Sequence, residues 1–206
     1  MSCAPRQRPR LSIELTLAGG TTDVAGWTGW DGRGAEHCVM TRHPDGAVIE
    51  GALAGHRLSD YGASYRVETD ADWRTRRVRV QIVGGPRLDV YADGRGNWTD
   101  ADGAAIPALD GCLDVDIGMT PATNLLPMQR LAHLGVGDAA DITAAYVPLP
   151  AQIDGVFLPC PAPQRYTRLG ARRWRYEGLF RGFVAELETD EAGIVLDYPD
   201  TFRRLP

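Results

Sequence analysis

Asp114 and Asp116 stand two residues apart in LDGCLDVDIGMTPATNLLPMQRL, residues 109–131, and Thr120, Thr123, Asn124 and Arg130 follow them. Residues 112–119 alternate strictly. Leu113, Val115, Ile117 and Met119 fall on one side, and Cys112, Asp114, Asp116 and Gly118 on the other. Period two is the signature of a half-buried β-strand. The two carboxylates then share a face, roughly 6–7 Å apart along the strand. Paired acids suggest glycoside hydrolysis, which needs carboxyl groups about 5 Å apart or more. Acids of that kind flank the scissile bond from different elements, whereas these project from one strand in one direction. An ion pair or hydrogen-bond network with Arg130 or Arg165 fits the placement better, and solvated acids are the third reading. Thr120, Thr123, Asn124 and Arg130 offer donors and acceptors for sugar hydroxyls or a phosphate. The same Thr and Asn types beside proline also satisfy local backbone groups in turns, so both roles are open.

Other chemistry is thinly represented. His37, Cys38, His43 and His56 have irregular spacing and lack a convincing fourth partner for zinc. The chain has no Gly-x-Ser-x-Gly elbow, and Gly135-x-Gly137 reads as a turn. No metal and no cofactor are expected. Arg74, Arg76, Arg77 and Arg79 lie beside Trp73, and Arg172, Arg173 and Arg175 around Trp174. Such clusters can serve single-stranded nucleic acid or anionic lipid headgroups. The net charge of -5 and the alternation in both strands favour a solvated sheet face, with no nucleic-acid partner.

The elements that must position these residues are strands. Turn signals separate alternating segments at residues 37–42, 47–54, 61–70, 73–83, 87–92 and 96–100, and again at 142–147, 165–169, 172–177, 183–190 and 194–198. This spacing predicts antiparallel β-structure. Residues 19–34 read as a Gly/Trp/Thr-rich loop in which Trp27 and Trp30 either cover an apolar opening or, the favoured reading, pack at the core edge. Residues 148–163 read as a proline-rich crossing. The one helix candidate is 125–134, with Asn124 as cap, Pro127 in its first turn and Gly135 at its end. A meander of this length must curl into a barrel, a half-barrel or a sandwich. Residues 1–24 form an N-terminal extension, partly disordered, and 25–206 a single β domain. Arg6, Arg8 and Arg10 before LSIELTLAGG imitate a signal peptide, but Glu14 interrupts the segment and it is too short to span a bilayer. The expectation is a cytoplasmic protein with no signal peptide and no transmembrane segment. Cys3, Cys38, Cys112 and Cys160 lack the spacing of a zinc ribbon or a disulfide framework.

The central stretch resembles the signature of the bacterial family called putative glycolipid-binding. Leu109-Asp110-Gly111-Cys112, Asp114, Asp116, Thr120-Pro121, Thr123-Asn124, Leu126-Pro127 and Arg130 carry the likeness. Glu36, Cys38, Gly51 with Gly55, Tyr65-Arg66, Trp73-Arg74-Thr75-Arg76, Gln164-Arg165-Tyr166-Thr167 and Tyr198-Pro199 flank it. Ala122 departs from the pattern where an aromatic is usual, and Gln129 where a basic residue is.

The resemblance implies an all-β, mainly antiparallel fold. Its curved sheet forms an unclosed barrel or half-barrel with one or two short helices and a hydrophobic cavity, similar to bacterial lipoprotein localisation factors. It implies non-catalytic binding of a glycolipid or another fatty-acyl ligand. Asp114, Asp116, Thr120, Thr123, Asn124, Arg130, Arg165 and Tyr166 are then candidates for headgroup contact. Val78, Val80, Ile82, Val115, Ile117, Phe183 and Leu187, on the apolar strand faces, are candidates for the cavity wall. The rival readings are a hydrolase acting on a sugar or lipid with Asp114 or Asp116 as acid, and a protein-interaction module.

Overall fold

The computed structural model describes residues 20–180 and 182–206, and among them thirteen strands form two sheets. The larger sheet is an antiparallel meander: β1 (Thr21–Gly29), β2 (Ala35–His43), β3 (Gly46–Gly55), β4 (Tyr61–Thr69), β5 (Thr75–Ile82), β6 (Arg87–Ala92) and β7 (Trp98–Asp100). The last strand, β13 (Phe202–Arg204), returns to pair with β1. The smaller sheet contains β8 (Asp114–Ile117), β9 (Ala139–Val147), β10 (Cys160–Arg168), β11 (Arg173–Gly178) and β12 (Phe183–Glu188), in the order β12-β11-β10-β9-β8. It curls into an open half-barrel, so the expected all-β, mainly antiparallel architecture is the one observed.

Alternation in the larger sheet sorts its residues by face. Cys38, Gly51, Tyr65, Val80 and Leu88 follow one another across five strands in register and all turn inward. Val78 and Ile82 share that face and lie in the same packed core as Val115, Ile117 and Leu187 of the smaller sheet. The outer face carries the arginines of β5, and acids on neighbouring strands meet them. Arg79 reaches Glu68 at 2.9 Å, and Arg77 makes a two-pronged contact with Asp89 at 3.0 Å. Arg173 and Arg175 sit near Glu186 and Glu177. Asp89 is largely covered by its arginines, whereas the exposed Arg173–Glu186 pair contributes little to stability.

β8 differs from the half-buried strand its alternation suggests. It covers only four residues and pairs in parallel with β9, from Asp114 opposite Ala144 to Ile117 opposite Val147. Parallel neighbours need a crossover connection, and the segment around Thr120 to Arg130 supplies it. With both faces of β8 covered, Asp114 on the polar side is only 1% exposed.

Four further expectations change. Residues 19–34 were expected as a loop, but β1 begins at Thr21, and Ala25 and Trp27 alternate into the core. The expected helix 125–134 is α1 (Leu125–Arg130), entered through a 3-10 turn at Ala122–Asn124, and Asn124 makes no side-chain cap. Beyond Arg130 the chain passes into turns, with Ala132 N donating to the Gln129 carbonyl and Leu134 N to the Leu131 carbonyl, and the Arg168 guanidinium holds the carbonyls of Ala132 and Leu134, the second at 2.9 Å. Residues 194–198 form isolated bridges, not a closing strand; that place belongs to β13. The proline-rich crossing ends at Cys160, where β10 begins, and Pro161 and Pro163 lie inside the strand. The Pro163 carbonyl accepts from Leu179 N at 3.0 Å, on the side away from β9, so its missing N–H breaks no ladder bond to β9. The expected disorder of residues 1–10 and a strand near residues 12–17 fall outside the described residues.

Gly51 holds a place that no side chain fits. A Cβ there would lie 2.4 Å from the Tyr65 ring, which crosses over β3 on its way from β4 to β2. Overpacking of this kind costs about 1–3 kcal/mol. Gly51→Ala is expected to lower the urea midpoint accordingly, while Ala52→Ser, on the exposed face next door, leaves it near wild type.

Candidate functional site

The cleft lies where the half-barrel fails to close. Phe183 on β12 and Phe202 on β13, the edge strands of the two sheets, both line it. It has two lobes of about 290 and about 240 Å³, and Arg57, Thr201 and Phe202 belong to the walls of both. Together they reach the size of ordinary small-molecule sites, about 300–1,000 Å³.

The second lobe is the more aromatic. Ile117, Tyr146, Tyr176, Phe180, Phe183 and Tyr198 form its apolar wall. Tyr176, Phe183, Tyr198 and Phe202 pack edge-on or tilted, with ring centroids 5.8–6.4 Å apart. Asp116, Thr120 and Asn124 supply its polar wall. Asp116 accepts a hydrogen bond from Gln164 Nε2 at 2.7 Å. Asn124 accepts from the Tyr166 hydroxyl at 3.0 Å and donates to the Pro121 carbonyl at 3.1 Å, so its amide is held rigidly.

The structure thus gathers three candidate headgroup residues, Asp116, Thr120 and Asn124, at one lobe. Asp114, Thr123, Arg130 and Tyr166 serve its frame, and Arg165 lies away from it. Asp114 spends both oxygens on Arg130, at 3.2 and 2.5 Å, which ties β8 to the last turn of α1. Burial lifts the Asp114 carboxyl above its ordinary range, and the Arg130 guanidinium offsets part of that rise. Thr123 Oγ1 accepts from the Ile117 amide at 3.1 Å. Arg165 pairs with Asp141 on the exposed side of β10, at 2.5 and 2.8 Å. Of the candidate cavity residues, Ile117 and Phe183 reach this lobe. Val78, Val80, Ile82, Val115 and Leu187 are packed inside the core, because the smaller sheet and α1 fill the space over the middle of the larger one.

The first lobe holds a residue that the reading of the chain quoted only as part of a resemblance. Glu36 lies on the inward face of β2, in phase with Cys38 and Met40, and is 7% exposed. Its Oε1 accepts from the Tyr65 hydroxyl at 2.6 Å and from Thr120 Oγ1 at 2.7 Å. Its Oε2 is buried with no hydrogen-bond partner among the described residues. An acid in the apolar phase of an alternating strand was the available signal. Trp27, Trp30, Tyr61 and Met119 share the lobe wall with it. The Tyr61 ring lies over Gly55, where a Cβ would come within 2.3 Å. Arg57 donates to the Gly118 carbonyl at 2.8 Å and lies over the Phe202 ring at 5.6 Å, between the lobes.

Desolvation pushes the Glu36 carboxyl up to about 7, against the pull of its Tyr65 and Thr120 hydrogen bonds. Between the ordinary value of 4.5 and about 7, the folded protein keeps a proton that the unfolded chain has lost. Stability from this group is therefore full below 4.5 and falls as pH rises through 7. One pKa unit is about 1.4 kcal/mol, so the loss is on the order of 3 kcal/mol. Glu36→Gln is expected to escape it. Urea unfolding at pH 5 and pH 8 should show the variant gaining on wild type by that order at the higher pH; parallel pH profiles would contradict the assignment.

Half-barrel and cleft together define an open-sided β protein with a mixed aromatic and polar pocket. The chain belongs to the family described as putative glycolipid-binding, whose profile matches residues 24–204. A DUF1089 family protein from Pseudomonas aeruginosa, solved by crystallography, is 34% identical; the match covers 98% of this chain and 100% of that one, with a TM-score of 0.68. Comparison with curated proteins gives no match.

Proposed function

We propose that the cleft binds an amphiphile, a glycolipid or another acyl-chain lipid, without turning it over. The observation that carries this reading is the aromatic lobe opening at the seam of the half-barrel, with polar groups fixed along one side. Ile117, Tyr176, Phe183 and Tyr198 offer apolar area to a chain, at about 0.8 kcal/mol per CH₂ buried. Asp116, Asn124 and Arg57 offer hydrogen bonds to a headgroup. Family membership supports the same class of ligand. The likeness to lipoprotein localisation factors belongs to this proposal, as does a cytoplasmic setting, which the free thiols of Cys38, Cys112 and Cys160 support. No described helix is long and apolar enough to cross a membrane.

Binding is favoured over two-acid hydrolysis by Asp114, whose carboxylate is committed to Arg130 and which leaves Asp116 as the single member of that pair on the cleft wall. The test is titration with 11-(dansylamino)undecanoic acid and displacement by unlabelled lipids. Wild type is expected to bind and to enhance the dansyl emission. Phe183→Arg, at a partly buried position on the wall, is expected to weaken binding at least tenfold while the far-UV β signature persists. Absence of binding by wild type, or turnover of a nitrophenyl glycoside panel that disappears in Asp116→Asn, would overturn the reading.

A further inference from the structure

Glu36 is a buried acid on a cavity wall with one oxygen fully engaged and the other free of partners among the described residues. Two hydroxyl donors converge on Oε1, from β4 and from the crossover after β8. They fix the plane of the carboxyl and leave Oε2 as its one unused acceptor. A side chain needed only to join the sheets would not require this second oxygen, whose desolvation is uncompensated.

We propose that Glu36 Oε2 is the polar anchor of the first lobe: neighbouring side chains cover it in this structure, and a polyol headgroup that displaces them donates a hydroxyl hydrogen bond to it. This rests on the amphiphile-binding reading and adds to it a residue, a lobe and a donor chemistry. A cationic headgroup fits less well. Arg33 and Arg57 line the same lobe. Its aromatic faces already carry guanidinium groups: Arg203 over Trp30 at 4.4 Å, Arg204 over Trp27 at 5.2 Å and Arg57 over Phe202 at 5.6 Å. A neutral headgroup rich in O–H donors meets neither obstacle. The placement also divides the ligand: hydroxyls reach Glu36 in the first lobe and Asp116 and Asn124 on the polar side of the second, the chain lies along the aromatic wall, and Arg57 stands at the junction.

The site changes character with protonation. As a carboxylate, Glu36 presents only lone pairs. When it is neutral, its proton belongs on Oε2, because Oε1 already accepts twice, and the same oxygen becomes a donor. Desolvation puts this change near pH 7. The groups facing Glu36 are Tyr65 from β4, Cys38 from β2 and Thr120 from the crossover. Asp31, Arg33, His56, Arg57, Tyr61 and Asp200 complete the charged and titratable wall. Burial pushes Cys38 and Tyr61 up to about 12 and Tyr65 well above the ordinary phenol, so these stay neutral through the transition. His56, held by Asp60 and Arg33, lines the same lobe and serves as the control.

The experiment is calorimetric titration with n-octyl β-D-glucoside at pH 5.5 and 8.5, beside its per-O-methylated analogue, which has no O–H donor. A hydrogen bond to the charged form is the stronger one, so wild type is expected to bind the glucoside about tenfold tighter at pH 8.5. Glu36→Gln should hold the weaker affinity at both pH values, and His56→Gln should keep the wild-type slope. The methylated analogue should show no gain with pH. A flat wild-type profile, or a slope that survives in Glu36→Gln, overturns the anchor; if the dansyl probe still binds, the amphiphile reading stands without it. Loss of both the glucoside and the dansyl probe in wild type overturns both.

Discussion

The hydrogen bonds that converge on one oxygen of Glu36 tie the two sheets together beside the cleft. Tyr65 comes from β4, Glu36 from β2, and Thr120 from the crossover that leaves β8. Thr120 also accepts from the Ala122 amide at 3.0 Å, so the residue that reaches the larger sheet is the one that starts the crossover turn. Two contacts secure the other end of β8. Thr75 N donates to the Leu113 carbonyl at 2.9 Å, and Trp98 Nε1 donates to the Cys112 carbonyl at 2.9 Å. β8 is therefore pinned to the larger sheet on both sides while its own ladder runs to β9. The positions of Asp116 and Thr120 on the second lobe follow from that pinning.

Much of this was legible in the chain because alternation reports burial. The strands of the larger sheet, from Ala35 to Ala92, fall where turn signals and period two put them, and the inward set Val78, Val80 and Ile82 is buried. The pairing of Asp114 with Arg130 was also within reach, since an acid on a covered strand needs a cation. What alternation does not report is the partner across a face. Val78 and Val80 read equally well as cavity wall and as packed core, and only the position of the smaller sheet decides. The parallel pairing of β8 was hidden for a similar reason: four residues carry too little pattern to specify a neighbour thirty residues away. The short helix was overrun because residues 131–134 form successive turns held by Arg168, a residue distant in sequence.

Glu36 shows where local and global consistency part company. Its nearest neighbours in the same phase of β2, Cys38 and Met40, are buried and apolar, and an apolar side chain at 36 would pack without desolvating a charge. Proteins hold such residues where the surrounding structure over-determines them. Here Gly51 removes its own side chain so that the Tyr65 ring can pass, and Thr120 spends its hydroxyl on the same oxygen. Three positions on three separate segments are thus arranged around one carboxyl.

The open seam explains why that arrangement sits where it does. A closed barrel has no edges and would fill its interior with side chains. Leaving the seam between β12 and β13 open creates two edges that must be covered or used. Aromatic residues line it, and because Tyr146, Tyr176 and Tyr198 each carry a hydroxyl, the wall is apolar in area without being uniformly so in chemistry. Phe180, 40% exposed, leaves apolar surface on the lobe wall. Rigid hydrogen-bonded polar groups along one side of the cleft and apolar surface along its aromatic wall present the two characters that an amphiphile combines.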